Sequence, residues 1–402
     1  MTAAAVGEAP TGASTRPPKL PSLTGLRFFA ALFVFLYHFA QLLGPYPPHG
    51  PVTPFADPSA TSDFAAVVAN GGFVGVSFFF VLSGFVLTWS AVPGERGTAF
   101  VRRRLLKIYP THLATFAIAM LLFAAAYTPA TVWLKNVLLL HSFSSDPSTF
   151  MSVNAPSWSL CCELLFYLLF PFVIGPVRRI ADNRLWAWAG AMVAGTVGVA
   201  LVTQYLVTST PRTPFIPDLS MTQFWSAYYF PPARLFEFAL GMVLARIVRA
   251  GRWPRIPMTA AVALMAAGYV LSLHVPFFYR FEVAMVIPIS VVICSFAAAD
   301  ARGGRTPVSG RAMQWLGERS FGFYMAQGIV LLYGRTLIGH NARYDTPTAI
   351  AVLIGFILAN LVAGTLLHVC VERPVMRRWA RGPQRARTPS VDVRPSEREV
   401  IR

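Results

Sequence analysis

An arginine and a histidine share one long apolar segment near the N-terminus, LTGLRFFAALFVFLYHF. In an α-helix, the spacing of Arg27 and His38 corresponds to about 1100° of rotation and about 16 Å of rise, so both side chains lie on one face. Ionisable groups within a membrane span are costly and are therefore candidates for function. The structural alternative is a helix-end arginine that reaches the membrane surface and a histidine satisfied by packing.

A glutamate occupies a second apolar segment, PSWSLCCELLFYLLFP. Glu163 lies about 10 Å from the outer end of this segment, and His38 lies at a similar depth in its own segment. At this depth, Glu163 is predicted to orient the His38 ring and support its imidazolium form, as a catalytic pair. Tyr167, one turn further on the same face, is a candidate for the substrate site. The alternative is that Glu163 pairs with an arginine such as Arg234 and only holds helices together.

Basic residues precede the third apolar segment, in FVRRRLLKIYP. Arg104 and Lys107 are spaced i, i+3, so their side chains point the same way, and Arg103 is adjacent. Together with Arg27, they predict a clamp for phosphates, such as those of CoA. Part of this basic run is also explained by the excess of basic residues on the cytoplasmic side of membrane proteins.

Arg234 and Glu237, in PPARLFEFALG, are also spaced i, i+3 and predict a pair within one helix. This pair is interpreted as structural rather than catalytic, although Arg234 remains a candidate for the substrate site. The four cysteines of the chain show no metal-ligand spacing, so no metal site is predicted.

The composition places these residues in a membrane protein. Of 402 residues, 55% are hydrophobic and 13% are charged, with a mean hydropathy of +0.54. This is too little polar surface for a soluble protein of this size. The net charge of +17 would suggest nucleic-acid binding in a soluble protein. Here the basic residues cluster between apolar segments, which indicates membrane orientation and contact with anionic lipid, and no nucleic-acid partner is predicted.

The apolar segments predict an all-α membrane protein with about ten transmembrane helices. A short apolar piece, Thr131–His141, is interpreted as re-entrant or interfacial. The predicted spans are Leu23–Leu43, Gly72–Ala91, Ile108–Tyr127, Pro156–Pro176, Leu185–Val207, Phe224–Val248, Pro257–Pro276, Phe281–Ala299, Phe321–Ile338 and Thr346–Cys370.

The distribution of basic residues sets the orientation. If the N-terminus is cytoplasmic, 27 of the 34 Lys and Arg residues fall on the cytoplasmic side, which predicts that both termini are cytoplasmic. Arg27 then lies toward the cytoplasm and His38 toward the outer face. Residues 1–19 are predicted to be a cytoplasmic tail, 20–380 a membrane domain, and the polar, Pro-rich 381–402 a disordered cytoplasmic tail.

In this order, the segments resemble the acyltransferase-3 family of bacterial membrane O-acyltransferases, over about Leu20 to Pro374. The resemblance implies a ten-span fold, acyl-CoA as co-substrate without a permanently bound cofactor, and catalysis by the first-span histidine, here His38. The family's first-span arginine falls on Arg27 and its fourth-span glutamate on Glu163. The matching pieces are LTGLRFFAALFVFLYH, GGFVGVSFFFVLSGFVL, FVRRRLLKIYP, PSWSLCCELLFYLLFP, RLFEFALGM, LGERSFGFYM and VERP.

The sequence departs from the family pattern at two positions. The family's Arg-X-X-Arg motif ends here in Lys107, which lacks the bidentate guanidinium. The family histidine three residues after Tyr324 is Gln327 here, which hydrogen-bonds but does not take a proton. Tyr324 and Gln327 are both candidates for the substrate site.

The resemblance implies an acyl-CoA-dependent O-acyltransferase, moving an acetyl or other short acyl group, in the bacterial cytoplasmic membrane. His38 is expected to act as general base on the acceptor hydroxyl, and a covalent acyl-histidine remains an alternative. The acceptor is either a secreted natural product, such as a macrolide or an ansamycin, or a cell-surface glycan. A proton-coupled transporter or flippase is the competing function, because buried Arg, His and Glu also suit a proton path.

Overall fold

The computed structural model describes residues 17–41, 53–213, 219–280, 282–339 and 341–380. The predicted disordered tail lies outside the described residues, as does most of the predicted N-terminal tail. Regular secondary structure in the described part is helical. The α-helices are α1 Pro21–Gln41, α2 Pro58–Val68, α3 Gly71–Ser90, α4 Gly97–Ala119, α5 Ala130–Val137, α6 Pro147–Phe150, α7 Trp158–Arg179, α8 Leu185–Leu206, α9 Met221–Phe224, α10 Leu235–Arg249, α11 Met258–His274, α12 Phe277–Arg280, α13 Val283–Ala301, α14 Arg311–Leu337, α15 Thr346–Leu366 and α16 Arg373–Trp379.

Seven helical segments within the described residues are long and apolar enough to cross a bilayer, which confirms a multi-pass helical membrane protein. The other three predicted spans coincide with α10, α11 and α14. Whether these three helices cross the membrane stays a prediction, as does the side on which the termini lie. The seven segments are Pro21–Ala40, Pro58–Ser90, Gly97–Ala124, Ala155–Arg179, Asp182–Leu206, Phe277–Ala301 and Thr346–Trp379.

The predicted span Phe224–Val248 is wrong as a single helix. Short helical turns precede α10, including a 3₁₀ turn at Pro231–Arg234. The two adjacent prolines at its start, Pro231 and Pro232, lack the N–H groups that a continuous helix needs. This break places Arg234 at the N-terminal cap of α10, at the start of its helix rather than inside it.

Two other helices begin earlier than the apolar pattern predicts. Helix α4 starts at Gly97, so Arg104 and Lys107 lie well inside a helix rather than at the first turn of a span. Helix α14 starts at Arg311, ten residues before the predicted Phe321. In both cases, the helix extends beyond the apolar run that a bilayer requires, because arginine and lysine are good helix formers. Of the Thr131–His141 piece, the part up to Val137 is helical and belongs to α5.

Helix α1 packs against both α3 and α14, and this packing positions Arg27 and His38. Helices α1 and α14 run parallel: the Gln314 side chain donates to the Pro21 carbonyl at one end, at 2.5 Å. Further along, the Phe28 and Phe35 rings both pack on Phe323, each with centroids 5.5 Å apart. The Arg27 end of α1 is therefore level with the start of α14, and the His38 end with its later turns.

Helices α3 and α10 approach closely through glycine. A Cβ at Gly84 would overlap the Phe238 carbonyl, and one at Gly241 would overlap the Val81 carbonyl. Small residues permit such contacts between membrane helices. The core formed by α3, α10 and α13 is the frame against which α1 and α7 hold the polar residues described next.

Candidate active site

Five of the predicted site residues, Tyr167 among them, line one cavity of about 110 Å³. Arg27 comes from α1, Arg104 and Lys107 from α4, and Glu163 from α7. The sequence predicted these residues as two separate groups, a phosphate clamp and a catalytic pair. The structure brings them into one charged wall. The cavity is lined by Arg27, Phe79, Leu82, Ser83, Val86, Leu87, Arg104, Lys107, Ile108, Glu163, Tyr167 and Phe321.

Glu163 is the negative centre of this wall. The Tyr167 hydroxyl, one turn along α7, donates a hydrogen bond to Glu163 Oε2. Glu163 also interacts electrostatically with Arg27, Arg104 and Lys107. A carboxylate surrounded by three cations keeps those side chains facing the same space.

Lys107 has a carboxylate partner that the sequence analysis did not identify. Its Nζ forms an ion pair with Glu372 Oε1, and His368 Nδ1 lies 3.5 Å from the same oxygen. Glu372 belongs to the VERP piece, so the signal was present in the sequence without an assigned role. In the described part of the chain, Arg27 and Arg104 form no such ion pair, so their charges face the cavity.

Arg103 lies apart from the predicted clamp. Its guanidinium pairs with Glu95, and its side chain is 37% exposed. It is not among the residues that line the cavity. The adjacent Arg104 instead packs its guanidinium over the Phe100 ring, 5.4 Å from the centroid. Since neighbouring residues on a helix point about 100° apart, the two arginines diverge to different surroundings.

A second, smaller cavity of about 40 Å³ adjoins the first. The two share the wall residues Arg27, Phe79, Glu163 and Phe321. The second cavity reaches Tyr324 of α14 and Ser159 of α7, whose hydroxyl oxygens are 2.9 Å apart. Tyr324, predicted as a substrate-site residue, therefore lies on the cavity, together with Ser159, which the sequence analysis did not single out.

His38 lies beyond this second cavity. Its ring is half-buried and interacts with the Gln327 side chain. The Gln327 amide Nε2 donates to the Tyr324 carbonyl at 2.9 Å. Gln327, at the position where the family has a histidine, therefore contacts both His38 and Tyr324.

Within the described residues, the His38 ring interacts with Gln327, and no hydrogen bond or ion pair joins it to Glu163 as predicted. Glu163 lies one turn from Ser159 on α7, Ser159 is level with Tyr324, and Gln327 is a further turn along α14. These steps separate Glu163 from the level of His38 by roughly 10 Å along the helices.

Arg234 is fully buried away from both cavities. It forms ion pairs with Glu237, at 2.7 Å, and with Glu282. It also donates to Ser77 at 3.0 Å, and its guanidinium lies 5.0 Å from the centre of the Tyr228 ring. The predicted pair with Glu237 is confirmed, and the alternative pair with Glu163 is wrong. Arg234 joins α3, α10 and α13 and does not line the candidate substrate site.

The chain is therefore a multi-pass helical protein with a basic cavity lined by Arg27, Arg104 and Lys107. The chain belongs to the acyltransferase-3 family: the family's acyltransferase domain matches residues 20–368. The match confirms the family resemblance and spans the segments that contain Arg27, His38 and Glu163.

Three bacterial proteins illustrate the relationship. The chain is 37% identical to acyltransferase MdmB of Streptomyces mycarofaciens, over 90% of this chain and 93% of that protein. It is 25% identical to the putative peptidoglycan O-acetyltransferase YrhL of Bacillus subtilis, over 89% of this chain and 55% of that protein. It is 24% identical to the peptidoglycan O-acetyltransferase OatA of Listeria monocytogenes, over 76% of this chain and 48% of that protein. No solved structure matches the chain.

Proposed function

We propose that this protein transfers an acyl group from acyl-CoA to a hydroxyl of an acceptor, in the bacterial cytoplasmic membrane, as a ten-span protein with both termini in the cytoplasm. The observation that carries the proposal is the arrangement along α1. Arg27 lies in a basic cavity with Arg104 and Lys107, and His38 lies about 16 Å further along the same helix. A donor such as acyl-CoA has phosphates at one end and a reactive thioester at the other. This matches the distance between the basic cavity and the His38 imidazole.

The phosphates of the donor are assigned to Arg27 and Arg104. Neither forms an ion pair within the described residues, and guanidinium groups bind phosphate oxygens in bidentate fashion. Lys107 adds a third positive charge, held in place by Glu372. Arg103 is left out of the donor site because Glu95 holds it elsewhere.

His38 is assigned as the general base. Its imidazole takes the proton of the acceptor hydroxyl while the oxygen attacks the thioester carbon. The C–S bond breaks, the departing sulfur receives the proton, and the products are the acyl ester and free CoA. Gln327 is assigned to hold the His38 ring in position from α14. In the two-step alternative, the imidazole attacks the thioester itself and an acyl-histidine forms first.

The acceptor is assigned as a hydroxyl of a secreted natural product or of a cell-surface glycan. The peptidoglycan O-acetyltransferases match this chain over only about half of their own length. We assign acyl transfer in this chain to the region that it shares with them. The transporter alternative is not favoured, because each of the three relatives is named for acyl or acetyl transfer.

Replacement of Arg104 tests the donor assignment. Arg104→Ala is expected to raise the KM for acetyl-CoA by about tenfold or more with little change in kcat, since a charge-assisted contact contributes about 1.5–3 kcal/mol. The measurement uses purified protein in lipid nanodiscs, labelled acetyl-CoA and a hydroxyl acceptor. The matched control is Arg103→Ala, which removes an adjacent arginine outside the cavity and is expected to leave KM almost unchanged. Equal effects of the two substitutions, or no acetyl-CoA binding by the unmodified protein, would contradict the assignment.

Neutralising Glu163 tests two possible roles. Its surroundings indicate that it balances the positive charges of the donor site, whereas the sequence predicted that it pairs with His38. Glu163→Gln keeps an acceptor for the Tyr167 hydroxyl but removes the negative charge that offsets Arg27, Arg104 and Lys107. Acyl-CoA and the CoA product are expected to bind more tightly, on the order of tenfold, so that KM falls and product release slows. Glu318→Gln, at an exposed carboxylate, serves as the control. A lower kcat with an altered pH profile and an unchanged KM would instead favour the pairing with His38.

A further inference from the structure

Three side chains meet where the second cavity reaches α14. The Tyr324 hydroxyl lies 2.9 Å from Ser159 Oγ and 3.2 Å from the Pro156 carbonyl oxygen. The Phe79 ring contacts the Tyr324 ring edge-on across the cavity, with centroids 5.8 Å apart. Tyr324 and Ser159 are each only 6% exposed. Side chains from α3, α7 and α14 therefore meet at one constriction.

This constriction separates the basic cavity from His38. Tyr324 and Ser159 line the cavity that also contains Arg27 and Glu163. One turn beyond Tyr324, Gln327 is fully buried and interacts with the His38 ring. A thioester that enters from the side of Arg27 meets Tyr324 before it reaches His38.

We propose that Tyr324 and Ser159 form a gate, held closed by the hydrogen bond between them, that opens to let the thioester end of the donor reach His38. The proposal rests on the proposed function in taking acyl-CoA as the molecule that passes. Tyr324 acts here as a positioning residue, because it takes no proton from the substrates and forms no bond to them.

The hydrogen bonds make the opening feasible. The Ser159 hydroxyl also donates to the Pro156 carbonyl, at 3.0 Å, within its own helix. When the Tyr324 ring turns away, Ser159 keeps this partner, so no buried hydroxyl on α7 is left without one. The closed gate keeps water away from the space next to His38 until the donor is in place, as closing elements do in other enzymes.

Uncoupled hydrolysis measures whether the gate protects the thioester. Tyr324→Phe retains the ring but removes the hydroxyl that fastens it to Ser159. We expect the ratio of acyl-CoA consumed to acceptor acylated to rise several-fold, because water reaches the thioester more often. A merely structural role changes the amount of active protein and leaves this ratio unaltered. The matched control, Tyr269→Phe, removes a hydroxyl that bonds to the Val67 carbonyl away from the cavity. A ratio for Tyr324→Phe equal to that of the control overturns the proposal.

Thiol labelling tests the gate without acyl-CoA. A cysteine is introduced beyond the gate by Gln327→Cys, in a Cys370→Ala background that removes the exposed native thiol. An anionic, membrane-impermeant methanethiosulfonate is applied from the side of the membrane on which Arg104 lies. Labelling is expected to be slow with Tyr324 intact and about tenfold faster or more when Tyr324→Phe is added. Equal labelling rates in the two proteins overturn the gate.

The two proposals fail in different ways. Added CoA is expected to slow the labelling, because it fills the cavity between Arg104 and the gate. If Tyr324→Phe accelerates labelling and CoA gives no protection, the gate stands and the donor assignment is wrong. If CoA protects but Tyr324→Phe changes neither the labelling nor the hydrolysis ratio, the donor assignment stands and the gate is wrong.

Discussion

Loss of the His38 imidazole is expected to reduce acyl transfer by about a hundredfold to ten-thousandfold, the range attributed to a general base. In His38→Ala, two other buried histidines already have partners elsewhere. His112 is buried with its Nε2 bonded to the Asn136 carbonyl at 2.8 Å. His141 is buried against Ser157, with 3.3 Å between Nε2 and Oγ. Acyl-CoA binding is expected to survive the substitution, because the phosphate end of the donor lies at Arg27 and Arg104.

The measurement compares initial rates of acyl transfer for equal amounts of membrane-inserted protein. His274→Ala is the matched control: His274 is exposed, and its Nδ1 bonds to the Val270 carbonyl of its own helix. If a folded His38→Ala protein retains acyl transfer, His38 is not the general base. Labelled protein recovered after acid quenching, with acyl-CoA and without acceptor, would favour the two-step route through an acyl-histidine.

The sequence alone predicted that Arg27 and His38 share one face of α1, because helical periodicity depends only on spacing along the chain. The same reasoning placed Arg104 and Lys107 on one side of their helix and Tyr167 one turn from Glu163, and the structure confirms both placements. Local patterns therefore predicted most of the charged wall of the cavity, and the order of the motifs identified the family.

The partners between distant helices were not predictable in the same way. Depth was estimated from the ends of apolar runs, which gives no information on how far neighbouring helices are shifted along each other. Glu163 and His38 were therefore placed level, although Glu163 lies closer to Arg27. The ion pair between Lys107 and Glu372 joins residues 265 positions apart, and no spacing rule connects them.

Arg234→Ala is expected to destabilise the folded protein by about 3–5 kcal/mol, the cost of breaking a buried ion pair. The substitution leaves two buried carboxylates, Glu237 and Glu282, without their shared guanidinium. It also removes the contact between α10 and Ser77 of α3. The result is expected as a lower midpoint of thermal unfolding in detergent and a lower yield of monodisperse protein. The control Arg252→Ala removes an arginine bonded to an exposed carbonyl, and little change is expected.

A variant that removes all three buried charges tests whether Arg234 stabilises the fold by pairing charges or contacts the substrate. Combining Arg234→Met with Glu237→Gln and Glu282→Gln removes the cation and both carboxylates together, so no buried charge is left unpaired. This triple variant is expected to regain much of the stability lost in Arg234→Ala and to bind acyl-CoA with an unchanged KM, because Arg234 lines neither cavity. A triple variant as unstable as Arg234→Ala contradicts the charge-pairing explanation. A stable triple variant with a strongly raised KM shows that the guanidinium contributes to donor binding after all.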